Sequence, residues 1–361
     1  MTARRAENIK INFMKLEELL KIAVEKGASD LHLLANVPPM LRIDGELLPV
    51  EGMTSLSSEQ LEKTVLGVLT EEQKQRFLRE RELDFSLETE VGGQARFRIN
   101  IYREKRSTAL AARVISPNLP TMESVMMPKA AYKLTRLPHG LILMTGPAGC
   151  GKSTSLAAMI NLINNERACH IITLEDPIEF IFSPVRSIIS QRHVGTDTNS
   201  FQAGLKHIVR QDPNVIMVGE MRDLETIATA ITLAETGHLV LTTLHTQDAA
   251  QTVDRIIDVF PPYQQQQIRM QLSMSLRGVI SQRLLPKIDG GRIAAREVLV
   301  NNSAIESMIR ENKVTQIKNV IQTSAEQGMF TLDQDIKRLY KEGKISREVA
   351  LENVSNPKVI S

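Results

Sequence analysis

The sequence predicts an α/β protein in which a parallel-sheet core follows a smaller α+β domain. After Gly140, short apolar runs typical of buried strands alternate with helical stretches, as in a parallel sheet covered by helices. Before residue 117, runs that alternate apolar and polar residues are typical of strands with one exposed face. The chain has 361 residues, which is long enough for two domains that each bury a core.

The composition excludes several classes of protein. Hydrophobic residues make up 42% and charged residues 24% of the chain, and the net charge is only +2. With an aromatic share of 4% and no Trp, we expect no base-stacking surface for nucleic acid. No segment approaches the roughly 18–20 apolar residues that span a bilayer, and no apolar run follows the basic start at Arg4 and Arg5. Cys150 and Cys169 are too few for a disulfide framework, so we expect a cytoplasmic protein without direct membrane insertion.

Residues 1–116 are predicted to form the α+β domain. A first helix is predicted where apolar residues recur at helical spacing, at Leu16, Leu19, Leu20 and Ala23. A strand over 28–33 and a hairpin that turns at Asp44-Gly45 should follow, with helices at about 58–66 and 71–80. The clearest strand pattern covers 94–115, where Phe97, Ile99 and Ile101 share one face and arginines occupy the other.

The remaining chain is divided by its prolines and strand patterns. Residues 117–138 contain four prolines and are predicted to be a linker that carries a short helix. Residues 139–301 are predicted to be the core, and 302–361 a C-terminal helical segment. The buried strands of the core are predicted at Leu141–Met144, His170–Leu174, Val215–Val218 and Leu239–Thr243.

One loop of the core carries the clearest functional signal. The pattern G-x-x-x-x-G-K-[ST] is matched by Gly146-Pro147-Ala148-Gly149-Cys150-Gly151-Lys152-Ser153, between an apolar strand and a helix. Backbone N–H groups of such a loop and the helix N-terminus bind phosphate. We expect Lys152 to reach the β- and γ-phosphates of ATP, Ser153 to give a hydroxyl to Mg²⁺, and Thr154 to meet the α-phosphate. Cys150 is interpreted as a tolerated loop residue.

Acidic residues follow two of the predicted strands. Glu175 and Glu179 lie just after one strand, at the carboxyl edge where α/β sheets bind ligands. Glu220 ends the run Val215-Ile216-Met217-Val218-Gly219-Glu220, which is a Walker-B-type strand. We expect Glu220 near Mg²⁺ and either Glu175 or Glu179 to orient the attacking water. The alternative is that these carboxylates are solvated charges at helix starts.

Two histidines flank the strand over 239–243. His245 follows the strand, so it is expected at the same carboxyl edge, where it would sense or donate to the γ-phosphate. His238 precedes the strand and is also predicted to contribute to nucleotide binding. The remaining histidines are assigned structural roles: His32, His139, His170, His193 and His207.

These segments together resemble one family, the PilT-type retraction ATPases of the type II/IV secretion ATPase superfamily. The resemblance runs from Ala28-Ser29-Asp30-Leu31-His32 to about residue 335. Residues 173–179 are similar to the Asp box of the family, 218–226 to its Walker B segment and 242–246 to its His box. The resemblance implies a PAS-like N-terminal domain and a RecA-like P-loop ATPase core, assembled as a homo-hexameric ring that powers type IV pilus retraction and twitching motility.

The resemblance also implies partners and further site residues. Arginines of the N-terminal domain would complete the nucleotide site, and Arg98 and Arg113 are the candidates, with Arg103 also possible. The ring would act on the platform protein of the pilus in the inner membrane. Its location would then be peripheral, at the inner face of the cytoplasmic membrane.

Retraction is favoured over extension by two absences. Extension and type II secretion ATPases carry an additional N-terminal region and a four-cysteine zinc insertion, whereas this chain begins just before the PAS-like domain and has no cysteine after Cys169. One departure leaves an accessory retraction paralogue open. The family typically has Ala-Ile-Arg-Asn-Leu-Ile-Arg-Glu where this chain has Ala304-Ile305-Glu306-Ser307-Met308-Ile309-Arg310-Glu311. The sequence is also compatible with a different superfamily motor, such as one acting on nucleic acid, and with a non-hydrolysing regulatory subunit.

Overall fold

A computed structural model describes residues 15–43, 45–89, 95–115 and 118–360 of the chain. The chain divides into two compact units, of which the first ends at residue 117 and the second begins at Asn118. Several residues named above lie outside the described ranges: Arg4, Arg5, Asp44, Gln94, Ser116 and Pro117.

The described part of the first unit combines an antiparallel sheet of six strands with three helices. The strand order is β3-β2-β1-β6-β5-β4. The strands are β1 (Asp30–Leu33), β2 (Met40–Ile43), β3 (Glu46–Pro49), β4 (Glu82–Thr89), β5 (Ala95–Glu104) and β6 (Ser107–Ile115). The helices are α1 (Leu16–Glu25), α2 (Ser58–Leu66) and α3 (Glu71–Glu80).

Local sequence signals explain most of these elements. Capping boxes at Ser57 and Thr70 satisfy the first N–H groups of α2 and α3, and both helices form as predicted. Strand β4 was not predicted, because no glycine or proline separates it from α3. Instead Arg81 makes the turn in a left-handed conformation with φ of 64°, which favours glycine.

The described part of the second unit is built on a seven-stranded sheet. Its order is β13-β12-β7-β11-β10-β8-β9, and all neighbours are parallel except β12 and β13. The strands are β7 (Gly140–Thr145), β8 (His170–Glu175), β9 (Ile188–His193), β10 (Val215–Val218), β11 (Leu239–Leu244), β12 (Leu276–Pro286) and β13 (Arg292–Val300).

Helices cover this sheet. They are α4 (Lys129–Thr135), α5 (Lys152–Glu166), α6 (Phe201–Ile208), α7 (Leu224–Glu235), α8 (Ala249–Asp258), α9 (Pro262–Ser275), α10 (Ser303–Arg310), α11 (Ile317–Thr323), α12 (Leu332–Lys341) and α13 (Arg347–Asn353). Strands β7, β10 and β11 are buried along their whole length, which explains their uninterrupted apolar sequence. Within the described ranges, no helix has the length and apolar character needed to cross a membrane.

The segment predicted as a linker is packed in the second unit. Met122, Met127 and Ala131 are buried in a core cluster together with apolar side chains of β7 and α5. Helix α4 is the short helix expected in this segment. Residues 118–138 therefore differ from a free linker, because their apolar side chains line the sheet.

Candidate nucleotide site

The phosphate loop connects β7 to α5 over residues 146–151. Three of its residues have positive φ angles: Gly146 (140°), Gly149 (73°) and Gly151 (84°). Gly151 is also the N-cap of α5, so the loop ends where the first free N–H groups of the helix begin. A side chain on Gly146 would place its Cβ 2.3 Å from the carbonyl oxygen of Gln282. Position 146 therefore requires glycine for both backbone conformation and space.

Lys152 points back into the phosphate loop. Its Nζ donates hydrogen bonds to the carbonyl oxygens of Gly146 (2.8 Å) and Pro147 (3.0 Å). Burial lowers the pKa of Lys152, and nearby Cys150, Glu220 and Glu179 oppose this shift. The side chains of Ser153, which is exposed, and Thr154, which is half-buried, follow in the first turn of α5.

Glu220 and His245 follow the neighbouring strands β10 and β11. The two side chains lie 3.5 Å apart, measured from His245 Nε2 to Glu220 Oε2. The other carboxylate oxygen of Glu220 accepts from Arg222 at 2.6 Å. Glu220 is 17% exposed, whereas Arg222 is 76% exposed, so the carboxylate faces inward and the guanidinium faces solvent.

Glu175 and Glu179 have different environments after β8. The carboxylate of Glu175 is buried and accepts hydrogen bonds from Thr173 Oγ1 (2.6 Å), Gln191 Nε2 (3.3 Å) and the N–H of Glu179 (3.4 Å). Burial raises the pKa of Glu175, and these three hydrogen bonds oppose the rise. Glu179 is half-buried, and its charge acts on Lys152. Glu175 is thus occupied within its own loop, whereas Glu179 faces the phosphate loop electrostatically.

The parallel register brings most of the predicted site residues to one edge of the sheet. Strands β7, β11, β10 and β8 are consecutive neighbours, and each ends at this edge. Lys152, His245, Glu220 and the pair Glu175 and Glu179 follow these four ends in that order. Carboxyl edges of parallel sheets are the usual place for ligands.

His238 lies at the opposite edge, and the prediction that it binds the nucleotide within this chain is wrong. It precedes β11, and its carbonyl accepts from the N–H of Gly140 at the start of β7. About seven residues of extended chain, or roughly 23 Å, separate it from His245. Its Nδ1 lies 2.9 Å from the carbonyl oxygen of Leu233, where it closes the end of α7.

The candidate arginines belong to the first unit. Arg98 and Arg113 are exposed and lie opposite each other on β5 and β6. Arg113 forms an ion pair with Asp30 at 2.9 Å. Arg103 pairs with Glu62 at 2.8 Å and lies over the ring of Phe77, so it stabilises the packing of α2 and α3.

Sequence reasoning missed two buried polar residues beside the phosphate loop. Gln282 on β12 donates from Nε2 to the carbonyl oxygen of Cys150 at 2.5 Å. Its Oε1 accepts from Arg296 Nε on β13 at 3.0 Å. Only the presence of a Gln and an Arg within apolar strand patterns could have signalled them.

The donor set of this edge fits Mg²⁺ held jointly with phosphates. In the described residues, no three His, Cys, Asp or Glu side chains are grouped to bind a metal by themselves. The exposed hydroxyl of Ser153 and the carboxylate of Glu220 are hard oxygen donors, which Mg²⁺ prefers when nucleotide phosphates supply further ligands.

Comparison with known proteins gives the family. The model of the type II/IV secretion system protein family matches residues 6–353. The chain is 45% identical to the type IV pilus retractation ATPase PilT of Pseudomonas aeruginosa, over 95% of this chain and 99% of the relative. It is 43% identical to the type IV pilus ATPase PilU of the same species, over 94% of this chain and 88% of the relative.

A solved structure agrees with these relatives and confirms the predicted α/β class with its RecA-like core. The crystal structure of the pilus retraction motor PilT with bound ADP superposes with a TM-score of 0.88 at 44% identity, covering 96% of this chain and 98% of the other. With a family model that matches nearly the whole chain, and relatives this similar over nearly their full length, the chain belongs to the type II/IV secretion system protein family of ATPases.

Proposed function

We propose that this protein is an ATP-hydrolysing motor that powers retraction of type IV pili. One observation carries the proposal: Lys152, Glu220 and His245 meet at the phosphate loop in a chain that is 45% identical to a pilus retractation ATPase. The neighbouring PilT structure holds ADP, which supports a nucleotide at the same loop.

The loop and the strand ends would divide the work of hydrolysis. Backbone N–H groups of residues 146–151 and the start of α5 would bind the phosphates. Lys152 would exchange its loop carbonyls for the β- and γ-phosphate oxygens, a change helped by its lowered pKa and short reach. Ser153 and Glu220 would hold Mg²⁺, which neutralises charge on the phosphates.

Glu179 is the better candidate for orienting the attacking water. Glu175 already accepts three hydrogen bonds within its loop, whereas the carboxylate of Glu179 is partly exposed and acts on Lys152. We assign Glu175 the role of fixing the loop over 175–179. His245, which lies between Lys152 and Glu220, would respond to the γ-phosphate. Arg98 or Arg113 would add positive charge to the transition state.

The assembly and the partner follow from the same relatives. We propose a homo-hexamer whose first unit is PAS-like and which acts on the platform protein of the pilus. The hexamer would be peripheral at the cytoplasmic face of the inner membrane. Full-length similarity to pilus ATPases supports this arrangement.

An accessory retraction role is a second candidate. The identities to PilT and PilU are close, at 45% and 43%. On α10, Glu306 lies 3.8 Å from Arg310 and the Ser307 hydroxyl donates to Glu311, so the acidic charge is part of a local network. An accessory motor would raise retraction force in a strain that already has a retraction ATPase and fail to replace it.

A deletion strain tests the proposal directly. Loss of the protein should give cells with excess pili and no twitching motility, and the native gene should restore motility. A gene encoding Lys152→Ala should not, and the purified variant should show no ATP turnover. Bald cells would contradict retraction, whereas normal turnover by the Lys152→Ala protein would contradict the site. Normal piliation with weakened motility would mark the accessory role.

A further inference from the structure

A buried glutamine ties the phosphate loop to the edge of the sheet. Gln282 is 2% exposed and lies on β12, next to β7. Its Nε2 donates to the carbonyl oxygen of Cys150, and its Oε1 accepts from the hydroxyl of Ser155 at 2.9 Å. One side chain therefore holds the last peptide of the loop and the first turn of α5 at the same time.

A buried arginine fixes this glutamine. Arg296 is 3% exposed, and its Nε donates to Gln282 Oε1 at 3.0 Å. The two terminal nitrogens of the guanidinium donate to the carbonyl oxygens of Met126 (2.9 Å) and Val125 (2.8 Å). Burial lowers the pKa of Arg296 to about 10, so the group stays charged at neutral pH. Its fork is thus directed at neutral oxygens, which orient it without neutralising it.

The three partners connect distant parts of the chain. Val125 and Met126 lie in the first segment of the second unit, which begins at Asn118. The backbone N–H of Arg296 donates to Asp335 on α12 at 2.8 Å, so the C-terminal helices hold the same strand. The Cys150 carbonyl belongs to the peptide whose N–H, on Gly151, opens the phosphate-binding end of α5.

We propose that Gln282 and Arg296 are positioning residues that set the Cys150–Gly151 peptide for phosphate binding and link nucleotide occupancy to residues 121–127. The inference rests on the proposed nucleotide site. Because both residues act through the loop rather than on the phosphates, they affect ground state and transition state alike. Coupling between the loop and residues 121–127 must be reciprocal, so nucleotide binding should restrain that segment.

The variant Gln282→Glu separates the two halves of the network. The introduced carboxylate still accepts from Ser155 and Arg296, but it cannot donate to the Cys150 carbonyl and repels it. We expect the Kd for MgADP and the KM for ATP to rise about tenfold, the range for a lost buried hydrogen bond. The kcat at saturating ATP should change less than about threefold, because the variant removes binding that is uniform along the reaction. The unfolding temperature should stay close to that of the native chain.

A second variant and a matched control complete the test. Arg296→Lys keeps the charge but loses the fork, so it should raise the Kd in the same direction. Asn301→Ala removes two buried bonds to the carbonyls of Ser273 and Leu276 at the other edge of the sheet. It should lower the unfolding temperature and leave the Kd unchanged.

Hydrogen exchange supplies a readout that a merely structural role would not move. In the native chain, MgADP should slow exchange in residues 121–127, and in Gln282→Glu saturating MgADP should fail to do so. If the native chain itself does not bind MgADP, the proposed function fails. If it binds and Gln282→Glu matches it in Kd and in protection of 121–127, the inference is overturned. Should Gln282→Glu not fold, native-like MgADP binding by Arg296→Lys overturns it instead.

Discussion

The imidazole of His245 stands between the amine of Lys152 and the carboxylate of Glu220. Its Nδ1 lies 3.5 Å from Lys152 Nζ, and its Nε2 lies 3.5 Å from Glu220 Oε2. Both distances are at the limit of a hydrogen bond, so either contact can be exchanged for a ligand oxygen. The ring is therefore placed to respond when a γ-phosphate draws Lys152 away from it.

The first prediction concerns this histidine. His245→Ala should lower kcat about 10²-fold, as for loss of a group that acts on the transferring phosphoryl, while the Kd for MgADP stays within about threefold. Steady-state turnover and calorimetric titration measure the two quantities. The matched control is His238→Ala, since His238 precedes the same strand at the opposite edge. Equal losses in the two variants would contradict the role of His245.

The second prediction separates the two glutamates after β8. Glu179→Gln should abolish hydrolysis and retain ADP binding, because it removes the proposed water-orienting carboxylate and leaves the phosphate loop intact. Glu175→Gln should retain measurable turnover, since an amide oxygen can still accept from Thr173 and Gln191. Single-turnover hydrolysis by both variants decides. Complete inactivity of Glu175→Gln alone would reverse the assignment.

The third prediction follows from the raised pKa of Glu175. Between the ordinary pKa of a glutamate, about 4.3, and the higher pKa of the folded state, the native chain binds more protons than the unfolded chain. Stability from this group is therefore lost as the pH rises through that window. Glu175→Gln removes the buried charge, so at pH 7 it should raise stability by about 1 kcal/mol, or roughly 2–4 °C.

Thermal unfolding of both proteins from pH 4 to pH 8 measures this difference. The two unfolding temperatures should converge at the acid end, where the native carboxyl is protonated as well. A variant that is less stable than the native chain at pH 7 would show that the three hydrogen bonds outweigh the cost of burial.

The fourth prediction concerns the start of the phosphate loop. Gly146 has a φ of 140°, and an added Cβ would lie 2.3 Å from the Gln282 carbonyl and 2.7 Å from Cys150 Sγ. Gly146→Ala should therefore displace the loop, lower stability by about 1–3 kcal/mol and abolish nucleotide binding. Gly149→Ala is the control, because it shares a positive φ but has no atom within 4 Å of the added Cβ. It should lose less stability in denaturant unfolding; equal losses would rule out the steric cause.

Sequence reasoning succeeded where the signal is local. The phosphate loop combines a strand, three glycines, a lysine and a helix start within consecutive residues, and its context needed no long-range information. The parallel register also followed from the alternation of strands and helices. It placed Glu220 and His245 at one edge, because residues that follow parallel strands share that edge.

Non-local features could not be predicted in the same way. The edge rule itself excludes His238, since this residue precedes its strand. Gln282 contacts Cys150 across 132 residues of sequence, and Arg296 contacts Met126 across 170, so no spacing pattern connects them. The different burial of Glu175 and Glu179 depends on Gln191 from the next strand, which the acidic motif does not contain.

The last prediction concerns the two arginines of the first unit. Arg98 and Arg113 face each other across β5 and β6, and like charges in this position repel. Arg113 is compensated by Asp30, which also lies 3.9 Å from Arg42, whereas Arg98 is exposed on the same sheet. Arg98 is thus the arginine more available to an anion.

Arg98→Ala should therefore leave the unfolding temperature nearly unchanged and lower kcat about 10³-fold, as expected for an arginine that acts on phosphoryl charge. Arg113→Ala should lower the unfolding temperature as well, because it leaves the carboxylate of Asp30 with the more distant Arg42. Turnover at saturating ATP, measured beside thermal unfolding, separates the two effects. Native turnover by Arg98→Ala would transfer the role to Arg113, and native turnover by both variants would remove the first unit from the chemistry.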